Sequence, residues 1–275
     1  MDKNFTKDLE KFIERLRFRK HFAFARFSDG EARVLQDKKL VLTEDKITIG
    51  SHESGRGDKL SLNEQKEYNP KKHQWVREKL LDSLQFKKEG YYKGLSCKCC
   101  LSGAHGMTPE EEVKWFIELS GLNTYDEHLT WSNLWLNGNY GLFLEHMLPY
   151  FFNYDIILVA NESADINGLP FKRNIIKDFR VGYNCMVNDY GLVDDIKKWI
   201  GDNKTEDSLF LFSAGSLSNF LAHQLYEFSD KNTYIDIGSS LNPFMGFPFD
   251  RRYLRQFWLN SQEPIMDIRK VCEWI

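Results

Sequence analysis

The stretch LFLFSAGSLSNFLAHQLYEF, residues 209–228, restricts the choice of fold more than any other part of the chain. Residues 209–212 are a continuous apolar run of strand length. Ser213-Ala214-Gly215-Ser216 is a turn of small residues, and residues 217–228 repeat apolar side chains at the three-and-four spacing of a helix. A strand feeding a helix through so short a turn is one step of a parallel sheet whose faces are covered by helices.

The rest of the sequence repeats that step. Residues 5–19 place Phe5, Leu9, Phe12, Ile13 and Leu16 on one helical face, and HFAFARF then reads as a strand ending in Ser28-Asp29-Gly30, after which EARVLQ starts a second helix. Helices are expected over 72–85 and 109–120, the second opened by Thr108, Pro109 and three glutamates. Between them YYKGLSCKCCL reads as a short buried strand, and DIILVA (155–160) as a strand in the middle of a sheet. Residues 180–185, a helix over 192–200 and a strand over 233–237 complete the alternation. The expected fold is α/β, a Rossmann-like, doubly wound and mostly parallel sheet in one domain over residues 1–275, with a helical, aromatic tail from about residue 249. Residues 47–70 are polar and rich in Gly, Ser, Glu and Lys, which reads as a long mobile loop or an insertion, and substrate lids are one reason such loops exist. The aromatic residues Phe244, Phe247, Phe249, Tyr253, Phe257 and Trp258 are expected to pack as a cap on the core rather than to form a partner surface.

Charge and cysteine usage exclude several function classes. With 37 Lys and Arg against 40 Asp and Glu the net charge is -3, which leaves no surplus to neutralise nucleic-acid phosphates, so no nucleic-acid partner is expected. No apolar run approaches the roughly 20 residues a membrane span requires, and residues 1–11 are charged rather than a signal peptide, so a cytoplasmic location is expected. Five cysteines fit a reducing compartment better than a disulfide framework. Cys97, Cys99 and Cys100, with His105 nearby, have the residue types of a zinc site. Their spacing departs from paired Cys-x2-Cys knuckles and a second pair is missing, which favours incidental or structural thiols.

Three places carry residue types suited to chemistry. In Ser28-Asp29-Gly30-Glu31 two carboxylates flank a glycine at the end of a strand, and Mg2+ or Mn2+ shared with substrate phosphates needs only one or two protein carboxylates. The same tripeptide is also an ordinary helix cap. The turn Ser213-Ala214-Gly215-Ser216 would let backbone N–H groups and a helix N-terminus approach a diphosphate, although neither the dinucleotide fingerprint nor the Walker pattern is complete. Asp236, at a strand end beside Gly238, is a candidate for binding sugar hydroxyls or for general-base work, or equally a brace for the loop that follows.

Taken in order, these segments resemble the DUF1792 family, glycosyltransferases of the GT-D fold. The Arg-Phe-x-Asp-Gly-Glu segment of that family is matched by Arg26-Phe27-Ser28-Asp29-Gly30-Glu31, its small-residue βα turn by residues 213–216, and its Asp-Ile-Gly strand end by Asp236-Ile237-Gly238. The segment from Ser132 and Asn133 to Tyr140 resembles the family's Ser-Asn region, but Gly138 and Asn139 stand where the family pattern places an Arg. The resemblance runs in islands across residues 20–245. It implies a metal-dependent glycosyltransferase that moves a sugar from a nucleoside-diphosphate donor, a UDP-sugar first, to a hydroxyl of a glycan or glycoprotein acceptor. Asp29 and Glu31 would sit at the Mn2+ or Mg2+; Arg26, Ser28, Asp29, Gly215, Ser216, Asn133 and Tyr140 would line the donor site; Asp236, then Glu162 after DIILVA, would be the candidate bases. The sequence sets no oligomeric state, and a homo-oligomer is compatible with it. Two alternatives stay open. A methyltransferase or dehydrogenase of Rossmann-like fold would need a glycine-rich first βα turn, where this chain has Ser-Asp-Gly-Glu, and a non-catalytic sugar-binding module would keep the fold without turnover.

Overall fold

The computed structural model describes residues 3–55, 65–101, 107–260 and 272–274. Seven strands form one parallel sheet: β1 (Ala23–Phe27), β6 (Tyr91–Leu95), β7 (Leu129–Trp131), β8 (Ile156–Asn161), β9 (Ile175–Val181), β10 (Leu209–Ser213) and β11 (Thr233–Asp236). Their order is β7-β6-β1-β11-β10-β8-β9, and every pairing is parallel. The last strand in the chain therefore lies at the centre, beside the first. Because strands buried on both faces must be apolar throughout, β8 and β10 read as unbroken hydrophobic runs, and their side chains are almost entirely shielded.

Helices α1 (Phe5–Arg17), α2 (Asp29–Leu35), α3 (Gln74–Gln85), α4 (Pro109–Ser120), α5 (Tyr140–Leu142), α6 (Leu148–Phe151), α7 (Cys185–Asn188), α8 (Leu192–Asn203), α9 (Leu217–Phe228) and α10 (Arg252–Trp258) surround the sheet. The buried stripe of α1 is Phe5, Leu9, Phe12 and Leu16. Phe12 meets Phe22, Phe24 and Tyr92 at ring-centroid distances of 4.9–5.4 Å, so alternate residues of the β1 segment point at α1. The intervening Ala23 and Ala25 are small, and α9 packs across β1 and β11. In α4 the sequence reading is matched end to end: Thr108 Oγ accepts the Glu111 N–H, the Glu111 carboxylate accepts the Thr108 N–H, Pro109 opens the first turn, and Gly121 stops the helix with φ +66°. No helix among the described residues is long and apolar enough to cross a membrane.

The described residues of the segment read as a mobile loop or insertion, with residues 40–42 before it, carry a second sheet. Strands β2 (Leu40–Leu42), β3 (Lys46–Ile49), β4 (His52–Gly55) and β5 (Lys66–Tyr68) form a four-stranded antiparallel sheet in the order β4-β3-β2-β5. Shortness and polarity hid the strands: β4 (HESG) is exposed along its length, and the alternation of β3 (KITI) runs over only four residues, Ile47 and Ile49 being half-buried. Asn184, in a left-handed conformation just past β9, pairs with the Glu67 backbone at both its N–H and its C=O (3.1 Å each), fastening the small sheet to the large one. Among the described residues of the tail, Tyr253 and Leu254 are buried and Tyr140 meets Tyr253 and Phe257 edge-on at 5.1 and 5.0 Å, while Phe257 and Trp258, expected to pack with them, are exposed.

Candidate active site

A cavity of about 650 Å³ opens at the carboxyl edge of the parallel sheet, where β1, β10 and β11 end, and the small sheet roofs it with Leu40, Leu42, Ile47 and Ile49. Doubly wound sheets bind ligands at this edge, and the volume lies within the range of small-molecule sites. Arg26, Ser28, Asp29, Glu31, Gly215 and Ser216 all line it.

Two of the three expected constellations converge there. Glu31 is buried, with Oε2 accepting the Ser28 N–H at 2.9 Å and Oε1 accepting the hydroxyl of Ser216. One side chain thus joins the turn after β1 to the turn after β10. Asp29 is exposed, and its carboxylate makes no hydrogen bond or ion pair among the described residues. The two acids of the Asp-Gly-Glu segment consequently do different things: one is a brace, the other is available to a ligand. A Cβ on Gly215 would meet nothing within 4 Å, so its left-handed turn (φ +52°) faces open space, while the N–H groups of Leu217 and Ser218 bond back to the carbonyls of Ala214 and Gly215.

The third constellation lies behind the cavity wall. Asp236 is buried and does not line the cavity. Its Oδ1 accepts the Gly238 N–H at 2.9 Å and sits 3.8 Å from the Arg26 guanidinium. Burial pushes the Asp236 carboxyl up to about 7, with Arg26 and the Gly238 N–H pulling the other way. Arg26 also donates to the Ser132 carbonyl, so Asp236 acts on the site by holding Arg26 in place. Gly238 is required by this arrangement: its φ is +51°, and a Cβ there would fall 1.6 Å from the Arg26 guanidinium. Glu162 is exposed outside the cavity, next to the lining residues Asn161 and Gly182.

Asn133 and Tyr140, expected at the donor, do not line the cavity. Tyr140 is buried, donates to the Ser240 carbonyl at 3.0 Å and accepts from Trp258 Nε1 at 3.2 Å; burial pushes its hydroxyl up to about 12. Asn133 donates to the thiols of Cys100 (3.0 Å) and Cys272 (3.3 Å) rather than facing the cavity. Several lining residues were not singled out from the sequence. Lys66 sits with its ammonium 3.3 Å from where a Gly30 Cβ would be, and Asn184, Arg251 and Tyr253 complete the wall, with Tyr253 hydrogen-bonded to Ser239 at 2.9 Å. Their signals are weak in sequence because Lys66 lies in the polar 47–70 segment, Arg251 and Tyr253 lie far from a strand end, and Asn184 follows a strand, β9, that is only partly buried.

Against known proteins, no family model and no curated protein matches the sequence. Solved structures do match it in shape. A DUF1792 glycosyltransferase from Streptococcus sanguinis superimposes with a TM-score of 0.55 over 96% of this chain and 86% of that chain, at 12% identity. A second structure, reported as the domain of unknown function 1792 with a distinct glycosyltransferase fold, gives a TM-score of 0.55 over 94% of this chain and 83% of that one, at 13% identity. The resemblance read from short motifs is therefore borne out at the level of structure: this chain has the fold of the DUF1792 glycosyltransferase structures.

Proposed function

We propose that the chain is a glycosyltransferase that takes a nucleoside-diphosphate sugar into the cavity at the carboxyl edge of its parallel sheet and passes the sugar to a hydroxyl of a glycan or glycoprotein. The observation that carries this reading is the pairing, across one cavity, of the exposed Asp29 carboxylate with the open turn at Gly215, held in register by Glu31 and Ser216. The shared fold with DUF1792 glycosyltransferase structures supports it.

The donor set fits a hard divalent cation that takes most of its ligands from water and a diphosphate, because Asp29 offers a carboxylate with no partner among the described residues at the cavity while both Glu31 oxygens already accept hydrogen bonds. Asp29 would hold Mg2+ or Mn2+, with Glu31 fixing the turn that carries it. The cation would offset charge on the departing diphosphate. Arg26 and Lys66 add positive charge to the same wall. The apolar roof of Leu40, Leu42, Ile47 and Ile49 excludes water from one side, which favours transfer over hydrolysis of the donor. Of the two carboxylates considered as base, Glu162 is the accessible one, and Asp236 is a positioning residue for Arg26. A UDP-sugar is the first donor to test.

Thermal melting with UDP-, GDP-, TDP- and CMP-sugars, in Mn2+ and then in EDTA, tests the reading. One nucleotide class should raise the melting temperature in Mn2+ only, and Asp29→Ala should abolish the rise. Stabilisation that survives EDTA and Asp29→Ala, with no donor consumed, would instead indicate a sugar-binding module.

A further inference from the structure

The cysteines that looked incidental in sequence converge in space. The sulfur atoms of Cys97, Cys99, Cys100 and Cys272 all lie within 4.8 Å of one another. The first three occupy the turn that follows β6, and the fourth arrives from the tail, 172 residues beyond Cys100. That separation is why the spacing looked wrong for a knuckle: the missing ligand is not a neighbour in the chain.

We propose that these four thiolates form a structural zinc site that fastens the tail to the parallel sheet, at a position separate from the cavity. Four sulfurs at about 2.3 Å from one tetrahedral ion stand about 3.8 Å apart. Cys99 and Cys100 are separated by 3.8 Å and Cys97 and Cys99 by 3.0 Å, so the cluster has the size of a single-ion site. An iron–sulfur cluster would hold its cysteines further apart. None of the four lines the cavity.

The surroundings suit an anionic tetrathiolate. Asn133 Nδ2 lies 3.0 Å from Cys100 Sγ and 3.3 Å from Cys272 Sγ, and Asn137 Nδ2 lies 3.6 and 3.8 Å from the same two atoms. Amide donors aimed at metal-bound sulfur spread its charge and fix its orientation. Cys97 and Cys272 are buried. Beside the cluster, Lys98 pairs with Glu273 at 3.1 Å, and Trp274 packs edge-on against Trp131 at 5.0 Å while donating to the Thr124 carbonyl at 3.0 Å. The tail is thus held at three successive residues around the proposed ion. Each thiol gives up its proton as its sulfur becomes a ligand, so binding releases up to four protons per ion and weakens as the pH falls.

The test is metal content by mass spectrometry on the untagged full chain, followed by replacement of the metal with Co2+. The expected result is a zinc-to-chain ratio near one that survives dialysis against EDTA and is released by a mercurial thiol reagent. The cobalt form should show a sulfur-to-metal charge-transfer band and the visible bands of a tetrahedral tetrathiolate. Cys272→Ser should lower retained zinc at least tenfold, and Cys185→Ser, which removes a thiol outside the cluster, should keep it. Zinc removal should shift tryptophan emission to the red in the wild type and less in Trp274→Phe. Protein from zinc-supplemented growth that carries no stoichiometric metal and gives no thiolate–cobalt band overturns the proposal, as does full zinc retention by Cys272→Ser. The cobalt spectrum of the wild type keeps the test decisive even if the variant fails to fold.

Discussion

Replacing Asp236 by Asn removes one titration and leaves the hydrogen-bond geometry in place, because the amide oxygen can still accept the Gly238 N–H and face Arg26. In the folded protein the carboxyl is pushed up from 3.8 to about 7, chiefly by burial. A raised folded-state value means that the native state binds the extra proton between these limits. The stabilisation is complete below the unfolded-state value and is lost as the pH rises through 7. At about 1.4 kcal/mol per unit, the loss between pH 5 and pH 8 is about 2.5 kcal/mol. Urea unfolding of wild type and Asp236→Asn at pH 5, 6, 7 and 8 measures it, and the difference between the two curves cancels every other titrating group. The wild type should lose about 2.5 kcal/mol relative to the variant across this range, most of it below pH 7. Parallel stability curves would refute the reasoning. They would mean that Arg26 already holds Asp236 ionised in the native state.

Gly238→Ala should destabilise the fold by about 2–4 kcal/mol, combining a left-handed backbone forced on a residue with a Cβ and the displacement of Arg26 from a buried carboxylate; urea midpoints check this, and donor affinity should fall with it. Arg33→Ala should cost about 3–5 kcal/mol, because Arg33 and Glu112 form a buried pair at 2.7 Å and the variant strands the glutamate. Glu162→Gln should lower turnover with donor binding unchanged, and equal turnover in steady-state kinetics would remove Glu162 as the base.

The parts of the fold legible in sequence are those whose apolar pattern is dense. The turn between β10 and α9 and the bounds of α9 follow from residues 209–228, and α4 is bracketed by Thr108 and Gly121. Strand β7 escaped notice because three residues carry no period, β3 because its alternation spans only four residues, and β4 because it is polar throughout. In the site, Asp29, Glu31, Gly215 and Ser216 were found together because strand ends gather at one edge of a parallel sheet. Sequence gives no burial, so it did not separate the free acid from the bracing one or move Asp236 behind the wall. Asn133 and Cys272 show the same limit: each acquires its partners from segments more than thirty residues away.

The Glu31–Ser216 contact spans 185 residues of chain. A site whose turns must be ordered by the ligand binds it more weakly by the conformational freedom that is removed. Here the spacing between the two turns is set within the chain by a buried carboxylate, so a ligand that bridges them meets rigid walls. Loss of the Ser216 hydroxyl would return that ordering to the binding step. Affinity would fall although neither Glu31 oxygen need ever touch the ligand.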